Sequence, residues 1–122
     1  MENPVVPKSF AFAVRIVYLY KDLSMTYHEY VISKQILRAG TSIGANIAEA
    51  EHAQSRADYT SKLTIALKEA DETRYWLRLL EASEFISHEV AEPLLADCIE
   101  LIWLLASTVR SLKNNGNEME KK

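Results

Sequence analysis

The chain has 122 residues, a length that suits one domain, and carries 14 Lys+Arg against 17 Asp+Glu for a net charge of −3. Only three Gly and three Pro occur, too few for a fold of short strands and tight turns, so a β-sandwich, a barrel and a disordered linker are disfavoured. The single cysteine, Cys98, cannot form an intramolecular disulfide. That fits a reducing, cytoplasmic setting. The first nine residues lack the apolar core of a signal peptide. The apolar runs Phe10–Val14, Ile16–Tyr20 and Leu101–Ala106 fall short of the ~20 residues a membrane span needs, so no membrane partner is expected.

Four helices are expected, with no sheet. The first covers about residues 7–23, where Pro4 and Pro7 suit the opening turn because a proline there loses no needed hydrogen bond. The second covers about residues 29–52. The third covers residues 56–82, opened by Ser55 as cap with Asp58 three residues on, approximating a capping box. The fourth, residues 88–113, follows Ser87 as cap, with Pro93 either moving its start toward Ala91 or kinking its first turns. Asn114, Asn115 and Gly116 supply a stop, leaving 114–122 as a frayed tail. Long helices with short links pack antiparallel with their neighbours, so the expected fold is all-α, an up-down-up-down four-helix bundle in a single domain over residues 1–122.

The apolar faces are wider than one bundle core needs. Helix three has a core stripe at Tyr59, Leu63, Ala66, Leu67, Ala70, Leu77 and Leu80, and a second set, Ile65, Trp76 and Leu79, on nearly the opposite side. Helix one carries two stripes: Phe10, Val14 and Val17, and Phe12, Ile16, Leu19 and Leu23. Helix four is apolar over more than half its circumference, with Trp103 and Leu104 on the remaining face. Surplus apolar surface marks an interface, and identical chains most often close into dimers or rings. The candidate oligomer interface is Phe12, Ile16, Leu19, Ile65, Trp76, Leu79, Trp103 and Leu104.

Helix two differs. Ile36, Gly40, Ile43 and Ile47 form its core stripe, and Gly40, Gly44 and Ala48 recur every four residues. Small residues at that spacing let another helix approach closely. Glycine inside a helix costs roughly 1 kcal/mol relative to alanine, so two imply a packing reason or, alternatively, a kink near Gly40–Gly44. Arg38, Ser42, Asn46 and Glu49 share an adjacent polar face, which spacing alone reads as solvated.

The stretch Ile36-Leu-Arg-Ala-Gly-Thr-Ser-Ile-Gly-Ala-Asn-Ile-Ala-Glu-Ala50 resembles the bacterial four-helix-bundle family of 23S rRNA intervening-sequence proteins. Ser55 with Tyr59, Lys62-Leu-Thr-Ile-Ala-Leu-Lys-Glu-Ala70 and Glu72-Thr-Arg-Tyr-Trp-Leu77 extend the likeness. It covers roughly Phe10 to Lys113. The resemblance implies a non-enzymatic bundle that assembles with itself, with a pentameric ring favoured. A related group is the accessory variability protein of diversity-generating retroelements, where a basic ring binds nucleic acid and a reverse transcriptase. Carried over onto this chain, Gly40, Ser42, Gly44, Asn46 and Glu49 are expected to organise helix packing or a subunit contact.

One departure weakens the nucleic-acid reading. Those relatives are basic, whereas this chain is acidic, with six acids and no Lys or Arg between Leu79 and Val109. The candidate phosphate contacts are Lys34, Arg38, Arg56, Lys62, Arg74 and Arg78. Catalytic and metal motifs are missing from the sequence. Glu49-x-x-His52 is one half of a di-iron bundle pattern whose second half does not occur. His28 and His88 sit near helix ends, and Cys98 reads as a packed residue without an activating neighbour. No cofactor, no metal and no enzymatic activity are expected.

Overall fold

The computed structural model describes residues 3–120, with side chains described as far as residue 115. Four helices follow one another: α1 (Val5–Met25), α2 (Ile32–Ala50), α3 (Arg56–Ala82) and α4 (His88–Glu120), with no strand among the described residues. Each packs on the next, and α4 closes on α1 more thinly than any consecutive pair meets. The architecture is an all-α four-helix bundle, and links of five or six residues make consecutive helices antiparallel.

The helix starts follow from local chemistry. Asn3 Oδ1 accepts the Val5 N–H at 3.1 Å, and Pro7 lies in the first turn of α1, where its missing N–H is no loss. α2 begins at Ile32 rather than at Glu29. The Glu29 carboxylate instead accepts the N–H groups of Val31, Ile32 and Ser33 at 3.3, 3.1 and 2.7 Å, satisfying donors the helix leaves open. Ser55 caps α3 by accepting the Asp58 N–H at 3.0 Å, while Asp58 accepts the Gln54 N–H at 3.2 Å, one residue earlier than a standard capping box. Ser87 accepts the Val90 N–H at 3.3 Å, so α4 starts at His88 and runs through Pro93.

Two helix ends hold left-handed residues other than glycine, His28 (φ 54°) and Glu84 (φ 67°). At the second, the Phe85 N–H reaches Leu80 O at 2.9 Å and the Glu84 N–H reaches Glu81 O at 3.0 Å, the paired bonds of a Schellman ending. The stop expected at Asn114–Gly116 does not occur. α4 passes through all three and continues to Glu120. The reason is the sequence beyond it, which lacks proline and keeps helix-forming Glu, Met and Lys, so one glycine weakens the helix without ending it.

The core gathers Phe12, Ile16, Leu19 and Leu23 of α1, Ile36, Ile43 and Ile47 of α2, Leu63, Ala66, Ala70, Leu77 and Leu80 of α3, and Leu94, Cys98, Leu101, Leu105 and Val109 of α4. This corrects the expectation for helix one. Phe12, Ile16 and Leu19 were candidates for an oligomer interface, but they are buried inside the chain, and Phe10 and Val14 of the other stripe are exposed instead. Gly40 explains the choice. A Cβ built there would lie 2.8 Å from both γ-carbons of Ile16, so α1 and α2 come together where a branched side chain sits on bare backbone. α2 is helical without interruption through Gly40 and Gly44, so the packing reading of Gly40 holds and no break occurs.

Candidate interaction surface

The polar face of α2 is a seam within the chain. Arg38 reaches α3 with both terminal nitrogens, to Glu69 at 3.1 Å and to Glu72. Glu72 also accepts the Trp76 Nε1–H at 3.2 Å. At the other end Glu49 pairs with Lys62 at 3.0 Å, and this hydrogen bond and charge raise the Lys62 pKa. Between them Ser42 donates to Arg38 O at 2.6 Å and Asn46 to Ser42 O at 2.8 Å. These bonds to the preceding turn each satisfy one side-chain donor within the helix. Gly40, Ser42, Gly44, Asn46 and Glu49 therefore lie along a helix whose two sides face α1 and α3.

The six candidate phosphate contacts are not gathered into one free strip. Arg38 and Lys62 hold α3 and α2 together, Arg74 pairs with Asp71 at 3.2 Å, and Arg56 donates to Leu112 O at 3.2 Å. Only Lys34 and Arg78 of the six make no ion pair or side-chain hydrogen bond among the described residues. The acidic strip of α4 is engaged as well. Glu100 pairs with Lys8 at 2.7 Å and Asp97 with Arg15, bridging the thin α1–α4 seam. Such half-exposed pairs contribute about 0–1 kcal/mol each, so they orient this seam more than they stabilise it. His88 sits between Glu81 (3.0 Å) and Glu92 (3.1 Å), and the bond to Glu81 raises its pKa.

Among the described residues no group of three or more His, Cys, Asp or Glu side chains could hold a metal ion. Glu49 and His52 are both exposed. Burial pushes the Cys98 thiol up to about 12, and the S–H donates to Ala70 O at 3.2 Å. It is a packed, unreactive group. No described helix is long and apolar enough to cross a membrane.

What remains is apolar surface arranged in helical stripes. Phe10 (72 % exposed), Val14, Tyr18 and Met25 recur along the outer face of α1 at spacings of four, four and seven. Beside them a groove of about 350 Å³ between α1 and α2 is lined by Phe10, Ala13, Thr41, Gly44, Ala45 and Ala48, with Glu51 at its edge. On the α3/α4 side a wider groove of about 870 Å³ is lined by Tyr75, Leu79, Leu95 and Ile99, with Arg74 and Arg78 on its rim. Further along α4, Trp103 stands 74 % exposed beside Ile102, Ala106 and Arg110. Of the remaining interface candidates Ile65 is exposed, while Trp76, Leu79 and Leu104 are half-buried. The α1 stripe was missed as a surface because two apolar stripes with the same period give no sign of which one faces inward.

A family model described as 23S rRNA-intervening sequence protein matches residues 1–107. The chain belongs to this family. A solved structure supports the same assignment: a protein of unknown function from the S23 ribosomal protein family of Bacteroides thetaiotaomicron VPI-5482 is 58 % identical, with 88 % of this chain and 96 % of that one covered at a TM-score of 0.86. No curated protein matches the sequence. Neither the family description nor the solved relative indicates an enzyme.

Proposed function

We propose that this member of the 23S rRNA-intervening sequence family is a non-enzymatic accessory or scaffold protein that works as a homo-oligomer in the cytoplasm. The observation that carries the reading is the run of large apolar side chains on outward helix faces, above all Trp103, Phe10, Tyr18 and Tyr75. A 122-residue chain that leaves this much aromatic surface open lowers its free energy by covering it. Identical chains most often close into dimers or rings, and a ring of five copies is what the family resemblance favours.

Light scattering coupled to size-exclusion chromatography at micromolar concentration tests the reading. Multiples of 13.9 kDa are expected, and a clean monomer overturns it. The alternative, an RNA- or DNA-binding module with or without a reverse transcriptase, has less support, because four of its six candidate cations already hold groups of the same chain. Binding to structured RNA with a steep salt dependence would favour that alternative.

A further inference from the structure

The two outer apolar faces differ in kind. The α1/α2 face is a groove, where Gly44 packs against the Ser9 backbone and Ala45 and Ala48 of α2 stand across from Phe10 of α1. On the α4 face the ridge is Trp103 itself, 74 % exposed, beside a smaller hollow of about 270 Å³ lined by Ile102, Ala106, Ser107 and Arg110. Because the helices follow one another around the bundle, with α4 returning to α1, the α1/α2 and α3/α4 flanks are separate surfaces. Resting on the self-association reading above, we infer that Trp103 of one copy docks into the α1/α2 groove of the next, with Arg110 meeting Glu51 of that copy.

Three features of the chain support this pairing. The first is helix direction. In an up-down-up-down bundle α2 and α4 run the same way, and rotation about an axis along the bundle keeps every copy the same way up. The α4 ridge of one copy therefore lies parallel to α2 of its neighbour. The second is spacing. Trp103 and Arg110 are seven residues apart, as are Gly44 and Glu51, which follows α2 with helical backbone angles, so each pair spans about 10.5 Å along one side. An indole seated in the groove at the level of Gly44 brings the guanidinium to the level of the carboxylate. The third is charge. Neither Arg110 nor Glu51 makes an ion pair among the described residues, and each lies at the edge of its own apolar face. The Phe10 ring offers the indole an aromatic neighbour. Since ridge and groove are different surfaces, the contact is head-to-tail rather than two-fold, and it gives a ring where its rotation closes.

Two exposed positions provide the test, Trp103→Glu on the ridge and Ala48→Glu in the groove. Each variant alone is expected to associate at least about 30-fold more weakly than the unaltered chain, the loss typical of removing a central aromatic anchor. Mixed one to one, they are expected to form a heterodimer and stop there, because only one good ridge meets one good groove. Circular dichroism melts of each variant establish that the bundle is intact. If the unaltered chain assembles but Ala48→Glu assembles equally well, or the mixture stays monomeric, the docking is wrong while self-association stands. A monomeric unaltered chain overturns both. Charge reversal gives an independent reading. Arg110→Glu and Glu51→Arg should each weaken assembly, and both in one chain should restore it; a double variant as weak as the singles overturns the ion pair.

Discussion

Gly40→Ala is expected to destabilise the protein, although alanine is the better helix former. The new Cβ would stand 2.8 Å from Ile16 Cγ1 and Cγ2 and 3.2 Å from Ile16 Cβ, where carbon atoms normally rest ~3.5–4.0 Å apart. Ile16 is fully buried and cannot swing aside. Overpacking of this kind costs about 1–3 kcal/mol, against a gain of about 0.5–1 kcal/mol from replacing glycine in a helix interior. The net expectation is a loss of roughly 1–2 kcal/mol. The decisive comparison is the same substitution in an Ile16→Ala background. That background alone loses about 2–5 kcal/mol through its cavity, but it removes both crowding γ-carbons. There Gly40→Ala should stabilise, by about 0.5–1 kcal/mol, and the coupling between the sites should reach about 2–3 kcal/mol. Urea unfolding followed by helical circular dichroism measures all four chains, at one protein concentration because assembly adds stability by mass action. An equal effect of Gly40→Ala in both backgrounds, or stabilisation in the unaltered one, would refute the close-approach account of Gly40.

Other positions yield sharper local expectations. Glu29→Ala should lose about 1–2 kcal/mol by removing the acceptor of three backbone N–H groups. Partial burial opposes the charge, yet those hydrogen bonds hold the Glu29 carboxyl below the usual value, so its contribution is complete above the ordinary carboxylate range and disappears as pH falls through the lowered value. Acid titration of stability should be shallower in the variant. His88 shows the reverse sign. Its raised pKa, caused first by the bond to Glu81 and then by the charges of Glu81 and Glu92, gives a contribution that is full below the ordinary histidine range and lost as pH rises through the raised value. His88→Ala should remove that part of the profile in urea melts run between pH 5 and 8. Glu84→Gly should raise the melting temperature, since a side chain at φ 67° costs about 1 kcal/mol that glycine avoids; a lowered melting temperature would count against the left-handed ending of α3.

The bundle was legible in the sequence because its signals are local and repeated: Ser55 and Ser87 before the long periodic stretches, short links, and an α3 stripe that is buried at Leu63, Ala66, Ala70, Leu77 and Leu80 and half-buried at Tyr59 and Leu67. Glu29 was harder to place, because a carboxylate that caps a helix from three residues outside it carries the same letter as one within its first turn. The α1 surface could not be assigned from α1 at all. Phe10–Val14 and Phe12–Ile16 have the same four-residue spacing, and periodicity measures angle around a helix without an origin. The origin comes from another helix. Gly40 admits a branched residue against its backbone, and Ile16 is the residue that occupies the place. Once Ile16 is turned inward, Phe10, Val14 and Tyr18 must face out, because one helix cannot bury opposite sides against two neighbours that both lie to one side. The glycine that sets the core packing of α1 and α2 thereby also exposes the aromatic wall of the groove beside Gly44. For this reason the Ile16–Gly40 contact and the proposed docking of Trp103 are linked: a change that rotates α1 should disturb assembly even where the altered residue is buried.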